Sequence, residues 1–209
     1  MNLSEEGIQL IIEFESGGRS YWQNKCLDKP NWPGFSSGVT IGIGYDLGYC
    51  TASKFVSDWQ EIYGERDLYQ LKNVCGITGE DAKPIVKTGG PLHEVRPISW
   101  DDAVTVFRQA SLPTHYVRML RVYPQTENIS AKCATALLSL VFNRGTDTRV
   151  TASNDRRLEM LQIKEALFLG KLDLIPEYLR SMKRLWPSTS GLPKRREREA
   201  LFFEEGLKS

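Results

Sequence analysis

Gly38-Val39-Thr40-Ile41-Gly42-Ile43-Gly44-Tyr45-Asp46 interrupts a chain that otherwise reads as helical. Its β-branched residues alternate with glycine, a composition that suits a pleated surface and disfavours a helix. The expectation is a small twisted sheet over 39–45, with Gly42 and Gly44 leaving room for a ligand against the backbone. Around it, residues 17–49 are rich in Gly, Pro, Ser and aromatics, so this region reads as a compact β lobe.

Upstream, residues 3–16 read as one amphipathic helix. Ser4 is placed as its N-cap, and Glu5 and Glu6 suit the positive end of the helix dipole. Leu3 before the cap can pack on Ile8 as a hydrophobic staple. Ile8, Ile11, Ile12 and Glu15 share one face at i, i+3, i+4 and i+7, which carries Glu15 onto the apolar stripe, apart from Glu5, Glu6 and Glu13. Ser16-Gly17-Gly18 stops the helix.

Downstream, a helix is expected near 51–63, then a mixed Gly/Pro-containing stretch to Pro97. From Ser99 the pattern is helical throughout. Ser99 and Asp102 form a capping-box pair, and helices are expected over 99–111, 114–122, 130–143, 155–169, 171–184 and 193–205. Pro113, Pro124, Gly145, Gly170 and the 187–193 stretch separate them. The fold class is therefore α+β and mainly helical. A single domain over 1–209 is expected: a first helix (1–16), a small β lobe (17–98) and a larger helical lobe (99–209) flanking a cleft.

Composition narrows the function classes. Hydrophobic residues are 41% and charged residues 25% of 209, the profile of an ordinary globular chain. A formal net charge of +1 gives no bulk drive toward nucleic acid. No apolar run approaches the roughly 20 residues of a membrane span. The segment Met1-Asn2-Leu3-Ser4-Glu5-Glu6 lacks the basic and apolar regions of a secretory signal. Cys26, Cys50, Cys75 and Cys133 include no Cys-x-x-Cys pair and no neighbouring His, so no metal site is expected; free buried thiols are the expected state in a reducing compartment.

Three residues stand out chemically. Burial disfavours the anion of a carboxyl, and the general acid of a glycosidase must still carry its proton near neutral pH. Glu15, on an apolar stripe, fits that requirement; the plainer alternative is a solvated carboxylate near a helix end. Thr40 reads either as a strand threonine or as a site residue, and Asp46 either as a turn residue before Leu47-Gly48 or as a second carboxylate. His93 and His115 are isolated and receive no role. Trp22, Trp32 and Tyr45 can stack on sugars or fill the core.

Four collinear segments carry a family resemblance. Phe14-Glu15-Ser16-Gly17 and Gly38-Val39-Thr40-Ile41-Gly42-Ile43-Gly44-Tyr45 resemble the active-site signature of phage-type lysozymes, glycoside hydrolase family 24. Ala136-Leu137-Leu138-Ser139-Leu140-Val141-Phe142-Asn143-Arg144-Gly145 is similar to that family's central helix. Gly191-Leu192-Pro193-Lys194-Arg195-Arg196-Glu197-Arg198-Glu199-Ala200-Leu201-Phe202 is similar to its C-terminal segment. The resemblance implies a lysozyme-like fold and a muramidase using a Glu, an Asp and a Thr. Glu15 and Thr40 match two of them. The Asp departs from the standard position between Glu and Thr: Asp46 matches a pesticin-like placement and is favoured, with Asp28 the alternative. Residues 49–96 match the short phage enzymes poorly and read as an insertion.

The resemblance implies inverting hydrolysis of the β-1,4 bond between N-acetylmuramic acid and N-acetylglucosamine, with no metal or cofactor. Asn143, Tyr45 and Arg195 are the substrate-binding candidates. A helix C-cap is the alternative for Asn143, and a solvated helix face paired with Glu197 and Glu199 the alternative for Lys194, Arg195, Arg196 and Arg198. The expected partner is bacterial peptidoglycan, with an immunity or inhibitor protein if the chain is a secreted antibacterial effector rather than a phage endolysin. A monomer made in the cytoplasm and delivered to the cell wall by a holin or a secretion system is expected, without nucleic acid or a membrane span. Two rivals remain: a lytic transglycosylase, since Glu15-Ser16-Gly17-Gly18 also resembles its Glu-Ser, and a non-catalytic peptidoglycan-binding module.

Overall fold

The computed structural model describes all residues, Met1–Ser209. The chain is mainly helical, with one two-stranded antiparallel sheet. It divides into two compact units, Ile12–Leu112 and Met1–Ile11 with Pro113–Ser209. The helix expected at 99–111 thus belongs with the β hairpin rather than with the C-terminal helices.

The unit over 12–112 begins in the last turns of α1 (Glu5–Ser16). Ser4 caps α1, its hydroxyl accepting the Gly7 N–H. Ser16 closes it: its hydroxyl donates to the Ile12 carbonyl at 2.6 Å and accepts the Gly18 N–H at 3.0 Å. A short helix α2 (Arg19–Asn24) follows, absent from the sequence reading because Trp22 is its one buried residue and no apolar period marks it. Strands β1 (Thr40–Ile41) and β2 (Tyr45–Asp46) pair antiparallel. They are shorter than the expected sheet because Gly42 and Gly44 have φ of 59° and 67° and form the turn between them. The glycines therefore reverse the chain instead of lining a strand.

Residues 49–96, read as mixed, hold a helical hairpin of α3 (Ala52–Trp59) and α4 (Glu65–Lys72), with 3-10 turns after it. Phe55, Trp59, Tyr63 and Leu71 bury the hairpin's inner face. Trp59 meets Tyr45 edge-on and Trp22 meets Trp100 edge-on, at centroid separations of 5.5 and 5.4 Å. Helix α5 (Trp100–Val106) carries the complete Ser99–Asp102 capping box. The expected break at Pro113 does not occur. A π turn over Phe107–Ser111 leads into α6 (Leu112–Val122), with the Leu112 N–H reaching back to Phe107. Proline supplies no N–H and crowds the carbonyl four residues back; the wider turn shifts the register so that the helix continues.

In the other unit the buried centre is α7 (Ala131–Arg144), whose residues 133–141 are all buried. Ser130 caps it, accepting the Cys133 N–H. Around it lie α8 (Leu158–Phe168), α9 (Ile175–Ser181) and α10 (Gly191–Gly206). Helix α10 packs on both α7 and α9. The 171–184 helix is three pieces, 3-10, α and 3-10. Pro193 lies in the first turn of α10, where a missing N–H is harmless, rather than in a linker. No helix is long and apolar enough to cross a membrane.

Candidate active site

The hairpin brings two of the candidate residues face to face. Thr40 and Asp46 are direct cross-strand partners. The N–H and C=O of Thr40 both bond Asn31 on the other side, at 2.8 and 2.9 Å. Thr40 and Asp46 therefore form a non-hydrogen-bonded pair, the kind whose side chains project together with Cα atoms about 4.5 Å apart. Thr40 is buried and Asp46 half-buried.

Backbone donors fix the Asp46 carboxylate. Oδ1 accepts the Gly48 N–H at 2.8 Å and the Gly38 N–H at 3.0 Å, while Oδ2 takes only a longer 3.3 Å share of the Gly38 donor. Burial pushes the Asp46 carboxyl above its ordinary range, and the Gly48 and Gly38 hydrogen bonds pull partly back. The arrangement needs glycine on both sides. A Cβ at Gly38 would run into the Gly48 backbone and stand 2.6 Å from the Ile77 carbonyl. Asp46 also caps the 3-10 turn Leu47–Tyr49, so the turn role and the oriented carboxylate coexist.

Glu15 occupies the last turn of α1 in the same unit. It is half-buried, with Oε1 shielded from solvent. Just after it, Gly17 and Gly18 turn the chain with φ of 75° and 86°. Trp22 on α2, 1% exposed, then donates its indole N–H to the Gly42 carbonyl at 3.0 Å. That bond ties the segment following Glu15 to the hairpin turn. Trp22 is thus a core residue and not a sugar platform. Trp32 donates to the Ser37 carbonyl, with Lys83 over its ring.

The Tyr45 hydroxyl is committed within the protein. It donates to Asp58 Oδ2 at 2.7 Å and lies 3.2 Å from Cys50 Sγ. Burial, with those two hydrogen bonds, raises its pKa far above the usual phenol range. A ligand can meet the Tyr45 ring, but using its hydroxyl as a donor would require breaking the Asp58 bond. Asp28, the alternative carboxylate, lends its backbone carbonyl to Ile98 and adds negative potential at Tyr63 beside Asp67 and Asp102.

Asn143 and Arg195 belong to the other unit. Asn143 lies inside the last turn of α7, and the C-cap is Gly145. Its Oδ1 is buried and accepts no hydrogen bond within the protein. The solvated-face reading of the α10 cations fails for two of them. Arg195 and Arg196 are 5% and 0% exposed and bond Glu199, itself 0% exposed. Arg195 also donates to the Ser139 carbonyl and hydroxyl. The i, i+4 spacing showed the pairing, but burial depends on α7 packing across α10, which no local pattern encodes.

No protein-family model matches the chain, and no curated protein matches its sequence. No three His, Cys, Asp or Glu side chains converge as a metal-ligand set. Sequence reasoning missed Phe35, which is 95% exposed with φ of 54°, and its neighbour Tyr49, whose hydroxyl bonds the Ser36 carbonyl. Exposed aromatics at a loop tip follow no periodicity. Pro33-Gly34 marked only that a turn was present.

Proposed function

We propose that this protein is a muramidase with a lysozyme-like fold, cutting the β-1,4 bond between N-acetylmuramic acid and N-acetylglucosamine in bacterial peptidoglycan. The observation that carries the proposal is the Thr40–Asp46 pair. A threonine hydroxyl and a carboxylate share one face of the hairpin, and Oδ2 of Asp46 retains lone-pair capacity for a water. Burial makes Asp46 more basic than an ordinary aspartate, which suits a general base. Glu15 is the proton donor to the leaving oxygen, and Thr40 helps to hold the attacking water. An inverting pair leaves roughly 6.5–9.5 Å between carboxyl groups for that water. The same chemistry serves a phage endolysin or a delivered antibacterial effector with an immunity partner.

The register also favours Asp46 over Asp28 as the second carboxylate, since Asp46 and not Asp28 faces Thr40. A turbidity assay on purified peptidoglycan tests both assignments. Glu15→Gln and Asp46→Asn are expected to lose about 10²–10⁴-fold in rate, as for removal of a general acid or base. Asp28→Asn is expected to stay near wild type. Wild-type clearing by Glu15→Gln would end the proposal, and loss on Asp28→Asn with retention on Asp46→Asn would reverse the choice of aspartate.

A further inference from the structure

We propose that Cys50 and Cys75 form an oxidisable pair whose disulfide staples the open end of the α3–α4 hairpin. Cys50 immediately precedes Thr51, the N-cap of α3, and Cys75 lies two residues beyond Asn73, the C-cap of α4. In an antiparallel helical hairpin those two positions meet at the open end. The backbone fixes the approach: the N–H groups of Cys50 and Gly76 both donate to the Leu47 carbonyl oxygen, at 3.3 and 3.0 Å. The two nitrogens are therefore no farther apart than those two distances laid end to end. The thiols are free, and both residues are partly exposed, so an oxidant can reach them. Burial, and then the neighbouring Cys50 thiol, raise the Cys75 thiol to about 11, so the two sulfurs sense one another.

The oxidant is a small disulfide such as oxidised glutathione. One thiolate of the pair attacks it, giving a mixed disulfide and one reduced glutathione. The second thiolate attacks the protein sulfur of that mixed disulfide and releases the second glutathione. The protein loses two electrons and two protons; the oxidant gains both. Closure gives up both S–H donors, from Cys50 to the Thr51 carbonyl and from Cys75 to the Leu71 carbonyl, but the Tyr45 hydroxyl keeps its bond to Asp58, so the β hairpin beside it retains that anchor. The closed loop contains α3 and α4 whole, so the link restricts their unfolded states. This inference is independent of the muramidase proposal and carries over to any activity of the chain.

The test treats the full-length reduced protein with oxidised glutathione, then blocks remaining thiols and maps peptides by mass spectrometry. The expected result is a Cys50–Cys75 cross-linked peptide about 2 Da lighter than its two reduced halves, Cys26 alkylated or carrying glutathione, Cys133 alkylated once the protein is denatured, and a raised Tm that dithiothreitol reverses. Closure should accelerate with pH, because the high-pKa Cys75 thiol must ionise. Cys50→Ser or Cys75→Ser should abolish the cross-link, and Cys26→Ser should leave it intact. Alkylation of both Cys50 and Cys75 after oxidation, a glutathione adduct on either of them that never resolves, or a link from Cys26 would each overturn the inference. Peptide mapping on the wild type decides the matter even if a serine variant fails to fold.

Discussion

Replacing Glu199 by Gln removes one negative charge from between two buried guanidiniums while keeping the side chain's shape. Its Oε1 accepts from the Ser139 hydroxyl at 2.6 Å, Arg196 Nη2 at 2.8 Å and Arg195 Nε at 3.1 Å. A glutamine carbonyl can accept the same three donors, while its amide NH2 takes the place of Oε2, which is buried without a hydrogen-bond partner. The Ser139 bond falls from the charge-assisted range of about 1.5–3 kcal/mol to the neutral range of about 0.5–1.5, while the two arginine bonds keep a charged donor but lose their charged acceptor. Breaking a water-excluded ion cluster in this way typically costs about 3–5 kcal/mol. For a chain of this size each kcal/mol moves Tm by roughly 2–4 °C, so a fall of about 6–20 °C is expected in calorimetry. If the two units melt separately, the transition containing α7 and α10 carries the shift. It should persist at about 1 M salt, because screening does not reach a cluster that excludes water. A fall of less than about 2 °C would refute the reasoning, since the charges would then be solvated or of no consequence to the fold.

The remaining expectations concern the hairpin. Asp46 has a raised folded-state pKa, so its neutral form is favoured. The associated stability is fully present below the unfolded value of 3.8 and is lost as pH rises through the folded value. Asp46→Asn never ionises, so its Tm should gain on wild type between about pH 3 and pH 7 while activity falls; an unchanged Tm difference across that range would contradict the burial argument. Gly38→Ala would force apart the backbones of Gly38 and Gly48 and displace both donors from Asp46. A loss of about 1–3 kcal/mol in urea unfolding is expected, as for an overpacked site, and a fully stable, fully active variant would exclude the described close approach.

The helix ends were legible because caps are local. Ser4 and Ser99 each accept the N–H three residues on, a pattern visible in sequence before any packing exists. The opposite failure occurred at Gly42 and Gly44. Alternation with β-branched residues imitates a strand, and only the positive φ angles show that the glycines form a turn. Pro113 was read as a stop because a π turn leaves no separate mark in sequence. The Thr40–Asp46 opposition follows from hairpin register, which the turn length sets and which the alternation alone left open. Arg195 and Arg196 resembled a solvated face because charge is local while burial is tertiary.

The most direct test of the central claim is the chemistry of the products. Purified peptidoglycan digested with wild-type protein should release muropeptides ending in a reducing N-acetylmuramic acid. By NMR during the first turnovers, that sugar should appear in the α configuration, inverted from the β-linked substrate. Anhydro ends would contradict the account in favour of a transglycosylase, and glycan that binds the protein but is never cleaved would leave it a binding module.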